Sequence, residues 1–147
     1  MPFRLRYSIS RLSFPASISQ LLLAFGLCLG LASCAGRPPA LGERGYTEEG
    51  KASYYSRKLQ GHKMANGAPY RHGKMTAAHK TLPLGTKIRV TNLQTHQSVK
   101  VKVTDRGPFV KGRIVDLSGK AARRLNAEQA GIIPVRIKVL RPAAARR

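Results

Sequence analysis

Val99-Lys100-Val101-Lys102-Val103 runs directly into Thr104-Asp105-Arg106-Gly107-Pro108-Phe109. Its first five residues alternate branched apolar and cationic side chains, the period-two pattern of a strand with one buried and one wet face. Lys87-Ile88-Arg89-Val90 and Val135-Arg136-Ile137-Lys138-Val139 repeat the pattern. Alternation assigns Ile88, Val90, Val99, Val101, Val103, Val135, Ile137 and Val139 to one core. It leaves Lys87, Arg89, Lys100, Lys102, Arg136 and Lys138 on a solvated outer face rather than in a dedicated groove. Residues 113–117 read as a further short strand and residues 51–55 as the first. Ser118 is positioned to cap a helix over 119–125, and Asn126 to cap one more turn ended by Gly131. Short strands interrupted by a helical turn imply a small closed barrel, because closure removes exposed strand edges.

The chain outside the strands is strongly polarised. Its 147 residues suit one modest domain, and 27 Lys plus Arg against six Asp plus Glu give a formal charge of +21. Such an excess favours polyanionic surroundings. Arg4, Arg6 and Arg11 precede the apolar run 21–31, which is short for a bilayer span, and Leu31-Ala32-Ser33-Cys34 follows. That tetrapeptide resembles a bacterial lipobox, so residues 1–33 are expected to be a lipoprotein signal peptide. Cys34 is then the lipidation site, anchoring the mature chain to the bilayer by acyl chains. Ala35, rather than the Asp of an inner-membrane retention signal, points to the periplasmic face of the outer membrane. Residues 34–49 read as a flexible tether, 50–140 as the barrel and 141–147 as a disordered basic tail. No C-terminal repeat domain is expected after it. With an expected mature charge of about +18 and an exported location, nucleic acid is a disfavoured partner.

Chemistry has few places to reside. Between residues 50 and 140 the only carboxylates are Asp105, Asp116 and Glu128. Asp105 follows a strand and precedes a Gly-Pro turn, where it serves either as a turn acceptor or as an acid. Asp116, just before Ser118, fits a helix N-terminus, so both are assigned structural, capping roles. His62, His72, His79 and His96 are scattered without ligand spacing, and the domain has no cysteine cluster, so neither a metal nor another cofactor is expected.

Several ordered motifs carry a resemblance. They are Gly50-Lys51-Ala52-Ser53-Tyr54-Tyr55, Ala65-Asn66-Gly67, Thr76-Ala77-Ala78-His79-Lys80-Thr81-Leu82-Pro83 and Val90-Thr91-Asn92-Leu93, then Asp105-Arg106-Gly107-Pro108-Phe109 and Arg113-Ile114-Val115-Asp116-Leu117-Ser118. Over residues 50–140 the chain resembles the rare lipoprotein A family of double-psi β-barrels. The resemblance implies a mainly β fold, a six-stranded double-psi β-barrel with one or two short helices. It also implies an endolytic lytic transglycosylase that cleaves peptidoglycan glycan strands, preferentially peptide-free ones, leaving anhydro-muramic ends. On that reading Asp105 is the acid/base and His79 a second catalytic group that positions substrate or stabilises charge. Tyr54, Asn66, Tyr70, Thr76 and Arg106 would bind the glycan. The reaction is compatible with few carboxylates, because the muramic C6 hydroxyl replaces the water that a hydrolase must activate. The chain departs from the family pattern where Glu follows Ala-Asn-Gly and Asp follows the next Tyr: here stand Ala68 and Arg71. The barrel is also similar to the catalytic-like domain of expansins, through Thr104-Asp105 and Val115-Asp116-Leu117, which implies the alternative of a catalytically weak or inactive wall-binding lipoprotein.

Overall fold

The computed structural model describes residues 37–144. The expected signal peptide, Cys34 and the last three residues of the tail lie outside the described residues. Six strands form a closed barrel in the order β1-β5-β2-β4-β3-β6. They are β1 (Thr47–Tyr54), β2 (Thr76–His79), β3 (Lys87–Asn92), β4 (Ser98–Asp105), β5 (Arg113–Leu117) and β6 (Ile133–Arg141). β1 runs parallel to β5 and β2 parallel to β4, while the other four seams are antiparallel. This is the mainly β, six-stranded double-psi barrel expected from the sequence.

Alternation on β3, β4 and β6 follows the sequence closely. Every one of the eight apolar residues assigned to the core is buried, and the six cations between them are exposed. Ala52, Ala77, Val115 and Leu117 complete the interior, which side chains fill as in other small barrels. The strand missing from the sequence reading is β2. Thr76-Ala77-Ala78-His79 contains no large apolar residue, although its last three residues are buried.

The ends also differ from expectation. β1 begins at Thr47, and the Gly45 N–H donates to the Val139 carbonyl at 2.9 Å, so residues 45–49 of the expected tether belong to the barrel. Helix α1 (Gly119–Arg124) starts at Ser118, whose Oγ accepts from Ala121 N–H and donates to the Lys74 carbonyl. Gly119 suits that start because the His72 ring occupies the space where a Cβ would project. Helix α2 (Ala127–Ala130) ends at Gly131, but Asn126 provides no side-chain cap. It sits in the left-handed region at φ 54°, a conformation that Asn tolerates.

Candidate active site

The site arises from strand register. Ser53 on β1 is opposite Asp116 on β5, Asp116 is opposite Ala78 on β2, and Ala78 is opposite Asp105 on β4. Residues in register share a face, so four neighbouring strands place Ser53, Asp116, Ala78 and Asp105 in one transverse row on the side of the sheet away from the core, where Ala78 is fully covered and both carboxylates are half-buried. A β-bulge makes this possible. Between Ala77 and Ala78 the partner strand advances two residues, from Val103 to Asp105, leaving Thr104 unpaired as the extra residue. Without that extra residue, Asp105 would point into the core. The two carboxylates are separated by a single alanine, two strand spacings or roughly 10 Å between their Cα atoms.

The segment 55–75 folds back over one end of this row. Asp105 accepts three hydrogen bonds: from the Tyr55 hydroxyl at 2.8 Å, the Ala65 N–H at 2.8 Å and the Arg106 N–H at 2.8 Å. Burial, reinforced by the bond to Asp105, pushes the Tyr55 hydroxyl far above its usual range, so it remains a proton donor toward the carboxylate. A hollow of about 310 Å³ reaches Thr104, the residue before Asp105, and is lined also by Asn66, Ala68, Arg71, Lys74 and Thr76, among others. The Asn66 N–H ties its rim to the Thr104 carbonyl at 3.2 Å. Ala68 and Arg71, the two departures from the family pattern, therefore both face the same opening.

Asp116 is held differently. The Ser53 hydroxyl donates to it at 2.6 Å and the Arg113 guanidinium lies 3.6 Å away. It makes no bond to a helix N–H, so the expected capping role falls to Ser118 alone. The reason is geometric: mid-strand in β5, its side chain projects outward beside Ser53 and away from the helix start.

His79 is on the other side of the sheet. It is in register with the buried Val115, it is 2% exposed, and its ring points inward. Its Nδ1 accepts from the Thr81 and Leu82 N–H groups at 3.3 and 3.1 Å, which places the proton on Nε2, 3.2 Å from Glu48. Burial lowers its pKa despite the opposing pull of Glu48, so the ring is neutral at pH 7. The same turn is held from the other side by Arg106, whose guanidinium donates to the His79 and Leu82 carbonyls at 3.2 and 2.8 Å. His79 and Arg106 thus brace the turn at residues 79–82 from its two sides.

The aromatic expectations are also redistributed. Tyr70 is 2% exposed, with its hydroxyl between His72 Nδ1 and the Gly119 N–H, and it packs its ring 5.0 Å from that of Tyr55. The Tyr54 hydroxyl donates to the Glu128 carbonyl at the helical end of the molecule. Tyr70 thus has no free face, and Tyr54 is half-buried against the core. Phe109, by contrast, is 84% exposed on the loop that follows Asp105. Asn66 and Thr76 do line the hollow. Tyr55, a candidate sugar-stacking residue with Tyr54 and Tyr70, instead bonds Asp105, while Ser53 and Phe109 carried no role in the sequence; for Ser53 and Tyr55 a signal exists, because period two from the buried Ala52 turns them, rather than Tyr54, outward. Among the described residues no group of His, Cys, Asp and Glu is arranged to hold a metal ion.

Comparison with known proteins converges on this barrel. Residues 47–137 match the family model described as lytic transglycolase. The chain is 50% identical over 97 residues to the endolytic peptidoglycan transglycosylase RlpA of Vibrio cholerae, a match covering 66% of this chain and 37% of that protein. It is 48% identical over 96 residues to the same enzyme of Pasteurella multocida, covering 65% and 33%. The matched stretch thus spans about a third of the length of these relatives. Among solved structures, the apo expansin of Clavibacter michiganensis aligns with TM-score 0.52 at 30% identity, over 68% of this chain and 53% of that one. The Streptomyces papain inhibitor shares the fold with TM-score 0.54 at 23% identity, over 67% and 97%.

Proposed function

From a chain that belongs to the lytic transglycolase family, we infer an endolytic lytic transglycosylase acting on peptidoglycan glycan strands, peptide-free ones in preference. The observation that carries this reading is the paired row, Asp105 and Asp116 on one outer face with only Ala78 between them. Asp105 in its acid form gives a proton to the leaving glycosidic oxygen. As the bond to the anomeric carbon breaks, the muramic C6 hydroxyl attacks that carbon, and the Asp105 carboxylate takes the hydroxyl's proton. One proton is given and one taken, no water enters, and an anhydro sugar remains. Asp116 supplies negative charge toward the anomeric carbon, whose transition state is oxocarbenium-like. Tyr55 and the two N–H groups aim the Asp105 carboxylate, and Phe109 offers the exposed face on which a sugar ring stacks.

The test is mass spectrometry of fragments released from purified peptide-free strands. Anhydro-ended products are expected from the wild type, with a loss of about 10²–10⁴-fold in Asp105→Asn. Intact strands after prolonged incubation with folded protein would exclude the enzyme. A second reading is favoured by Ala68 and Arg71 and by the likeness to an expansin: a wall-binding lipoprotein with little or no turnover. Co-sedimentation with sacculi that survives Asp105→Asn, with no fragments from either protein, would select it. On either reading the chain is proposed to sit in the cell envelope, held to the outer membrane by acyl chains on Cys34. Palmitate labelling, lost in Cys34→Ser, checks the anchor.

A further inference from the structure

A second set of registers crosses the opposite arc of the barrel. Arg89 on β3 lies between Lys138 on β6 and Lys100 on β4. Two residues along, Lys87 lies between Arg141 and Lys102. Two rows of three cations therefore stand on one outer face, with neighbours about 4.8 Å apart across the strands and rows about 6.7 Å apart along them. These separations are inside the Debye length of about 8 Å at physiological salt, so the charges feel one another.

No acid of this chain relieves them. All six carboxylates lie among the described residues, and each is engaged elsewhere: Glu43 with the Ala40 N–H, Glu48 with His79, Glu49 with Arg136, Asp105 with Tyr55, Asp116 with Ser53 and Glu128 with Arg123. Like charges directly opposite on adjacent strands oppose folding. The arrangement makes physical sense if an external anion spans both rows.

The face is continuous with the active site. A hollow of about 260 Å³ is lined by Met75, Lys87, Lys100 and Lys102, and an adjoining one of about 360 Å³ shares Lys87 and Lys102 and reaches Arg141. Met75 sits between Lys74 and Thr76, which line the hollow that reaches Thr104, and its carbonyl accepts from the Lys102 N–H at 3.1 Å. Three hollows thus follow β4 from Thr104 to Lys100, about 13 Å of strand. Among the described residues, Arg71 and Lys74 at the start of the path make no ion pair either.

We propose that Lys74, Lys102, Lys100 and Lys87, flanked by Arg89 and Arg141, form a track that binds an extended glycan through its free carboxylates and leads it into the Asp105 site. The ligand class, an extended polyanion, follows from repeated cationic spacing along a path that ends near the carboxylate row, and it rests on the peptidoglycan reading above. A bilayer surface fits less well: the exposed large apolar residues are Leu41, Phe109, Val110 and Ile132, and none stands among these rows. Free carboxylates exist on muramic residues only where the peptide has been removed, so the track would act as a chemical filter for stripped strands.

The experiment uses the full chain and three probes: fluorescent peptide-free glycan strands, the same strands with carboxyls converted to amides, and phosphatidylglycerol vesicles. Native strands are expected to bind the wild type at least about tenfold more tightly than amidated strands at low salt. The variant Lys87→Gln/Lys100→Gln/Lys102→Gln should bind both alike, with a flatter salt dependence. Equal wild-type affinity for native and amidated strands overturns the track, as does unchanged binding by the triple variant. Binding confined to vesicles also overturns it. Fragment release is read in parallel. Charge-dependent binding without anhydro products removes the enzyme reading and keeps the track, whereas cleavage with charge-independent binding does the reverse.

Discussion

Across β1, β5, β2 and β4 the barrel shows Ser53, Asp116, Ala78 and Asp105; across β6, β3 and β4 it shows Lys138, Arg89 and Lys100. Both rows are made by the same device, register across neighbouring strands, and they differ in how their charge is met. Each carboxylate has a built environment: Asp105 takes three donors, and Asp116 takes Ser53 and Arg113. The cations face solvent without a partner carboxylate. A charge held by several fixed donors is set up for one geometry, whereas an unmet row on flexible stems suits a ligand that varies along its length. The bulge at Ala77/Ala78 marks the boundary, because it converts the strict alternation of β4 into an outward Asp105.

The sharpest break in the comparison is removal of the second acid. Asp116→Asn keeps the side-chain shape while deleting the charge, and is expected to lower fragment release by about tenfold or more, with some loss of Tm because the half-buried Arg113 guanidinium loses its partner. A variant that turns over normally below its melting point would show that Asp116 serves only to hold Ser53 and Arg113. Ser118→Ala provides the contrast, with a cost of about 1 kcal/mol in stability and near-normal turnover. Next in size is Tyr55→Phe. It removes one of three donors to Asp105, a bond to a charged group worth about 1.5 kcal/mol. A drop in kcat of several-fold at unchanged KM is expected, and a rise in KM alone would show that Tyr55 binds substrate instead of aiming the carboxylate.

How much of this was legible follows from which signals are local. Alternation is local, and it located β3, β4 and β6, the core and the cationic face from the chain alone. Register is not local. Nothing near Asp116 in sequence announces Ser53, 63 positions away, whereas Ser118 two residues on made a cap the natural reading. His79 shows the same limit. Its motif marked the residue, but only pairing of β2 with β5 tells which face it takes, and that face is the interior. β2 itself carries no period-two signal, because Thr76-Ala77-Ala78-His79 has no large apolar residue to alternate with. Tyr54 and Tyr55 were separable in principle, since period two from Ala52 turns only the second toward Asp105.

His79 yields a smaller, pH-dependent contrast between the two sides of the sheet. Its folded pKa is depressed by burial below the ordinary value of about 6.5, so between those two pH values the unfolded chain binds the extra proton. Stability is therefore full above about pH 6.5 and declines as pH falls through that value toward the folded pKa. Thermal melts from pH 8 to pH 5 should show this decline, and His79→Gln should flatten it even if its own Tm is lower. A wild-type Tm that rises on acidification across this window would mean that Glu48 holds the ring in its charged form.

The smallest effect separates the cationic rows from an ordinary wet face. Arg89 has a like charge directly opposite on each side, so Arg89→Gln relieves two repulsions at once while leaving the buried Ile88 and Val90 untouched. Cross-strand pairs of this kind are worth about 0.2–1 kcal/mol. The variant should gain a few tenths of a kcal/mol or more at low salt. At 1 M salt, where the Debye length is about 3 Å, the gain should disappear. Arg136 stands on the same strand as Lys138 but is bonded to Glu49 at 2.6 Å, and Arg136→Gln should show no gain at any salt. A gain of equal size at both positions would assign the effect to net charge, since every removed cation would then help alike. A gain at Arg89 alone would assign it to register, because that substitution breaks up a contiguous row of three while the other removes a cation already neutralised.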